Sequence, residues 1–242
     1  MTPALFFDLD GTLCYPATPF PDVFYASLAP LLTAHPTVDR AALLTAWVAA
    51  LERPGPATTT SCLAWAFAHC NANPASPIDA PDAVDAPDTT LLTRCADALN
   101  TAWAAAQRPA PDLWPALAAA QARYRLGIIT NGPDDAQRAV VDALGLASHI
   151  RWLVVSGDPL VGVRKPDPAI FRHALTLAQA EPGETWYVGD SPTNDVGGAV
   201  NAGMRACWLA PGDAALPDGI AQPEMRVASL GELAARLLAD AD

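Results

Sequence analysis

Leu5-Phe6-Phe7-Asp8-Leu9-Asp10-Gly11-Thr12-Leu13 is the stretch on which the reading of this chain turns. Three apolar residues, two of them aromatic, run into two aspartates and then a Gly-Thr break. Such a run reads as a short buried strand. In extended chain the side chains of residues i and i+2 point the same way, so Asp8 and Asp10 leave the strand tip on one side and Leu9 on the other. Gly11 permits a sharp turn. Carboxylates held that close repel and need a cation, a shared proton or a basic neighbour. The plain alternative is an ordinary Asp-Gly turn with two solvated acids.

Working outward, residues 112–239 alternate between helical and strand patterns. Strands are expected at 126–129, 152–155, 186–188, 205–209 and 225–228, and helices at 112–123, 134–144, 166–178, 193–202 and 230–239. This alternation predicts an α/β fold with a Rossmann-like parallel sheet flanked by helices. Residues 15–108 read differently, as helices at 22–34, 39–51, 58–70 and 89–107 with no clear strand. Asp22 and Asp39 stand where N-caps belong. Asn71 to Asp88 repeats Pro, Ala and Asp and reads as a loop or flap. The expected division is a core of 1–14 and 109–242 with an all-helical insertion of 15–108. The joins, around Cys14 to Pro21 and Arg108 to Pro111, are rich in proline.

Function in parallel sheets gathers at the carboxyl ends of strands, and three polar clusters fall at such ends. Thr130-Asn131-Gly132 follows an apolar strand. It reads either as a hairpin turn or as a strand-to-helix turn whose hydroxyl and backbone N–H groups hold phosphate oxygens. Gly189-Asp190-Ser191-Pro192-Thr193-Asn194-Asp195 adds two acids after another strand, at a spacing unlike an EF-hand loop. Lys165, in Arg164-Lys165-Pro166-Asp167, is the sole lysine among 14 basic residues. It is either an accident of composition or a site where a compact ammonium serves and a wide guanidinium does not.

The four motifs, in this order, resemble those of the haloacid dehalogenase-like hydrolases, in the branch whose helical cap is inserted between the first and second motifs. Ile128 to Gly132 and Asn201 to Trp208 look like the branch holding nucleotide 5′-phosphatases and a sialic acid phosphate phosphatase, with phosphoglycolate phosphatases as near relatives. The resemblance implies a Mg²⁺-dependent phosphatase acting on a small-molecule phosphate monoester through an aspartyl-phosphate. It implies Asp8 as nucleophile and Asp10 as general acid and base. Mg²⁺ would be held by Asp8, the backbone carbonyl of Asp10, and Asp190. Thr130, the Asn131 backbone and Lys165 would bind the phosphoryl group, and Asp195 would orient Lys165 or a metal-bound water. Three rivals share the resemblance: a phosphomutase, a haloacid dehalogenase, and a non-catalytic binding protein. Dehalogenases of this superfamily lack the second aspartate and need no metal, so Asp10 speaks against that one.

Composition narrows the partners. A net charge of −12 over 242 residues argues against nucleic acid. No apolar run approaches the ~18 residues of a membrane span, and no charged-then-apolar segment precedes the first strand, so a cytoplasmic protein is expected. Five scattered cysteines, with no C-x-x-C pair, predict buried free thiols. Specificity is expected in the insertion, in residues such as Tyr15, Phe20, Trp47, Trp65 and Trp103, although most of these also suit an apolar core. Oligomeric state is not legible.

Overall fold

The computed structural model describes residues 2–70, 87–210 and 212–239. Its centre is β1 (Ala4–Phe7), whose four residues are all buried. Leu5 and Phe7 pack into one apolar cluster and Ala4 and Phe6 into another. A strand covered on both faces needs no polar alternation, which is why this one is uniformly apolar.

Six strands form the sheet in the order β5-β4-β1-β6-β7-β8: β4 (Arg125–Thr130), β5 (Trp152–Val155), β6 (Trp186–Gly189), β7 (Arg205–Leu209) and β8 (Met225–Val227) join β1. Every pairing is parallel. The chain lays β4 and β5 on one side of β1 and then returns to lay β6 on the other. That reversal opens a crevice at the carboxyl ends of β4, β1 and β6, which are the ends carrying Thr130, Asp8 and Asp190.

Between β1 and β4 come β2 (Cys14–Pro16), α1 (Phe20–Ser27), α2 (Ala29–Ala34), α3 (Arg40–Leu51), α4 (Thr59–His69), α5 (Thr89–Ala106) and β3 (Gln107–Pro109). The helices enclose their own core of Phe24, Leu31, Leu43, Leu63, Phe67 and Leu99. Asp39 caps α3 by accepting from the Ala42 N–H at 2.9 Å, as its position predicts. The α4 cap is Thr58, paired reciprocally with Ser61.

Several local expectations need correction. The insertion is not free of strands: β2 and β3 pair antiparallel, so the two joins lie side by side as a ribbon. The predicted 22–34 helix is two helices, because Pro30 in the first turn of α2 cannot continue a helix from α1. Asp22 is not a cap but sits inside the first turn of α1, which Pro19 and Pro21 open. The helix expected from Pro166 starts at Pro168, with Asp167 as its cap, as α8 (Pro168–Ala178). The helix expected at 193–202 is a wide π turn over Pro192–Gly197 running into the short α9 (Gly198–Asn201). The loop expected at 71–88 lies outside the described residues except at its end, where Asp88 caps α5 by accepting from Thr90 N–H.

Helices α6 (Leu113–Gln121), α7 (Asp134–Ala143) and α10 (Leu230–Ala239) complete the core with α8 and α9. All five cysteines are free and buried. Among the described residues, no helix is long and apolar enough to cross a membrane.

Candidate active site

Asp8 directly follows β1, and its N–H donates to Val188 O at 2.8 Å, which holds the strand tip against β6. The chain then turns through Gly11 at φ +88°. A Cβ there would lie 2.7 Å from Asp190 Oδ2, so both the backbone angle and the space demand glycine. The turn carries Thr12 to Asp190, and its hydroxyl donates to Asp190 Oδ1 at 3.3 Å.

Lys165 is buried, and its ammonium has three acceptors: Asp8 Oδ1 at 2.5 Å, Asp195 Oδ1 at 2.8 Å and the Tyr187 hydroxyl at 2.9 Å. Three N–H groups meet three protein acceptors. A phosphoryl oxygen would therefore have to share or displace one of them. Burial alone would lower the lysine's pKa, but the carboxylates of Asp195 and Asp8 outweigh it and raise the value. Tyr187 donates in turn to Ile129 O at 3.0 Å, and burial first, then the neighbouring carboxylates, hold its phenol protonated.

Asp8 is pushed up to about 8, chiefly by burial. Lys165 pulls the value down, while the charges of Asp195 and Asp10 add to the rise. Burial also raises Asp10 and Asp190. Four carboxyl groups thus share a pocket with one ammonium.

Oxygens of Asp8, Asp190 and Asp195 lie within 4.8 Å of one another. A set of hard carboxylate oxygens fits Mg²⁺. Asp8 and Asp190 are the two side chains expected at the metal, where Asp10 was expected to offer its backbone carbonyl, and Asp195 is the third acid of the cluster. Asp195 already accepts from Lys165 and from Ser191 N–H at 2.9 Å, with the Tyr187 hydroxyl 3.1 Å away. That engagement suits the orienting role expected of it better than direct ligation.

Two side chains do work that the sequence pattern did not reveal. Asn131 was expected to contribute its backbone. Its side chain clamps the lysine: Oδ1 accepts from Lys165 N–H at 2.9 Å and Nδ2 donates to Lys165 O at 3.0 Å. Gln137 belongs to none of the four motifs. Its Nε2 donates to Asp10 Oδ2 at 3.1 Å, and its Oε1 accepts from the Thr130 hydroxyl at 3.0 Å. Gly132, at φ +153°, leaves room for it; a Cβ would come within 2.6 Å of Gln137 Nε2. The available signal was that Gln137 shares the buried face of α7 with Val140 and Val141, a polar residue where the helical period asks for an apolar one.

Gln137 thus joins Thr130 to Asp10. Gln137→Leu keeps the bulk and removes both hydrogen bonds. If Asp10 is the proton donor, kcat for an alkyl phosphate is expected to fall by about 10-fold, a modest part of the ~10²–10⁴ that a general acid supplies. The loss should be smaller for an aryl phosphate, whose leaving group needs less proton assistance. Equal losses on both would assign Gln137 to packing.

Phosphoserine phosphatase of Thermus thermophilus is 43% identical over 119 residues, which is 47% of this chain and 46% of that protein. The chain thus spans about half the length of that relative. Phosphoglycolate phosphatase of Rhodospirillum rubrum is 35% identical over 240 residues, covering 97% of this chain and 86% of its own. Among solved structures, a 2-haloacid dehalogenase from Pseudomonas syringae superposes with a TM-score of 0.70 at 25% identity, over 99% of both chains. Residues 2–203 match the haloacid dehalogenase-like hydrolase family. With the sheet order, the Asp8–Lys165 pair and a near full-length relative all in accord, this chain belongs to the haloacid dehalogenase-like hydrolase family.

Proposed function

We propose that the protein is a Mg²⁺-dependent phosphatase that hydrolyses a small-molecule phosphate monoester through an aspartyl-phosphate on Asp8. The observation that carries this reading is Asp10. It is a second carboxyl group beside the nucleophile, held by Gln137 and shifted by burial toward its protonated form. Displacement of halide by a carboxylate requires no proton donor, whereas expulsion of an alkoxide does.

Asp8 attacks phosphorus as the bond to the leaving oxygen breaks, and Asp10 gives that oxygen its proton. Asp10, now a carboxylate, takes a proton from water as the water oxygen attacks phosphorus. The Asp8–phosphorus bond breaks, and Asp8 and Asp10 return to their starting states. Lys165 grips Asp8 through Oδ1 and so leaves Oδ2 to attack. Thr130, the Asn131 backbone and Lys165 are assigned to the phosphoryl oxygens. Asp8, Asp190 and the Asp10 carbonyl are assigned to the metal, with Asp195 orienting Lys165. Bound there, Mg²⁺ would supply charge neutralisation that lets a carboxylate meet a phosphate dianion.

Residues 15–108 are assigned as the cap over a core of 1–14 and 109–242. The segment between α3 and α4 reaches the core at several points. Thr59 N–H donates to Asp135 Oδ1 at 2.8 Å, Asp134 N–H donates to Ala57 O at 2.9 Å, and Arg164 pairs with Glu52 at 3.0 Å. Such a lid would exclude bulk water during attack.

The test is a panel of phosphate monoesters, with 2-chloropropionate as the rival substrate, assayed in Mg²⁺ and in excess EDTA. Phosphate release that EDTA abolishes is expected. Halide release, or phosphate release at full rate in EDTA, would overturn the reading.

A further inference from the structure

Beside the reaction pocket lies a larger cavity of ≈ 450 Å³ between the helical insertion and the core. The reaction pocket, ≈ 190 Å³, is lined by Asp8, Thr130, Lys165 and Asp190 among others. Asp10 and Asn131 line both spaces, so the two adjoin at these residues.

Among the described residues, the wall of the larger cavity contains no lysine, arginine or histidine, and its sole ionisable residue is Asp10. Basic side chains close to this region in sequence are engaged: Arg138 with Asp134 and Asp158, Arg164 with Glu52, Arg108 with the carbonyls of Ala105 and Gln107, and Arg53 over the Trp65 ring at 5.0 Å. The sequence of residues 71–86 has no basic residue and contains Asp79, Asp82 and Asp85. The polar groups of the wall are tied to one another: the Thr59 hydroxyl donates to Asn100 Oδ1 at 2.6 Å, and Asn100 Nδ2 donates to Asp135 Oδ2 at 2.9 Å. A carboxylate entering this space would lose its hydration and gain no counter-charge. An ammonium would find one carboxylate, that of Asp10, which catalysis needs, and ring faces worth about 2 kcal/mol, less than the several kcal/mol its desolvation costs.

The rest of the described wall is apolar, with aliphatic residues such as Leu51 and Leu99 around three aromatic ones. Phe20 meets Trp103 edge-on at 5.1 Å and stacks with Trp47 at 6.2 Å, and all three line the cavity. Rings of this kind favour another ring in offset or edge contact.

We propose that the alcohol part of the substrate is uncharged and ring-bearing, and that it sits against Phe20, Trp47 and Trp103. The assignment rests on the phosphatase reading. It separates the chain from the relatives named above, since serine and glycolate both carry a carboxylate.

The test compares kcat/KM in Mg²⁺ for benzyl phosphate, phosphoglycolate, phosphoserine and phosphocholine, with acetyl phosphate as a minimal phosphoryl donor. Benzyl phosphate is expected to exceed each of the three charged esters by about 10-fold or more, within the range that an apolar pocket commands. Val48 lines the cavity and is 53% exposed, so Val48→Arg adds a guanidinium with room to fold. That variant is expected to raise the phosphoglycolate-to-benzyl phosphate ratio by about 10-fold, because it supplies the missing counter-charge. A wild-type preference for any charged ester overturns the assignment, and so does an unchanged ratio in Val48→Arg. Failure to hydrolyse any of the set, acetyl phosphate included, would remove the phosphatase reading and this assignment with it.

Discussion

Asp8→Asn is expected to lower kcat by on the order of 10⁴-fold or more, the scale seen when a nucleophile that acts as part of a unit is removed. The amide cannot form the acyl-phosphate bond. The fold should survive. Asp8 is 6% exposed and its carboxyl is raised to about 8, so near neutrality its charged form is disfavoured in the folded chain relative to the unfolded one. The sign follows from linkage. A carboxyl raised on folding favours the folded state below its ordinary pKa, and that contribution is lost as pH climbs through the folded value. Replacing it by a neutral amide removes that penalty but takes one of the two carboxylates paired with Lys165 and leaves Asp195, so Tm in metal-free buffer should stay close to the wild type. Activity within 10-fold of wild type in purified Asp8→Asn would refute the assignment of the nucleophile. A large drop in Tm would show that Asp8 is structural as well.

Lys165→Arg is expected to be nearly as damaging as Lys165→Ala, each by about 10²-fold or more in kcat. The geometry gives the reason. Nζ sits in a closed ring formed by Asp8, Asp195 and Tyr187, with the side chain 3% exposed. A guanidinium keeps the charge but is wider, planar and differently reached. It would push Asp8 off line, and small misplacements of a reacting group cost on the order of 10²-fold. Lys165→Ala leaves two buried carboxylates without their cation, a loss on the order of 3–5 kcal/mol of stability. Steady-state kinetics in saturating Mg²⁺, with folding checked by circular dichroism, separates the two effects. If Lys165→Arg works within a few-fold of wild type, the site needs only positive potential, and the lone lysine was an accident of composition.

What could be read from the chain was what local pattern encodes. The five core strands after β1 show as apolar runs bounded by turn residues, and Asp8, Thr130, Lys165 and Asp190 stand at their tips or before a helix. Lys165 stood out because the chain otherwise uses arginine. The unread features depend on long-range meetings. Asn131 clamps the backbone of a residue 34 positions away, and Gln137 reaches an acid 127 positions away. Neither distance leaves a periodic trace. Tyr187 looked like one more apolar strand residue, although a buried tyrosine hydroxyl needs a partner, and here it has several. The β2–β3 ribbon is not legible in the sequence because three residues on each side, two of the six being proline, carry little strand signal. Helices α1 and α2 were read as one because their apolar spacing continues across Leu28, while the break comes from Pro30.

The central claim is that phosphorus becomes bonded to Asp8 during turnover. The most direct measurement is a rapid acid quench of the full chain mixed with saturating benzyl phosphate and Mg²⁺, followed by mass spectrometry of the peptide that contains Asp8. Within the first turnover that peptide is expected to carry a phosphoryl group on Asp8, which disappears as substrate is exhausted. Phosphate release at the steady-state rate with Asp8 unmodified at every time point, or a phosphoryl group on another residue, would contradict the account.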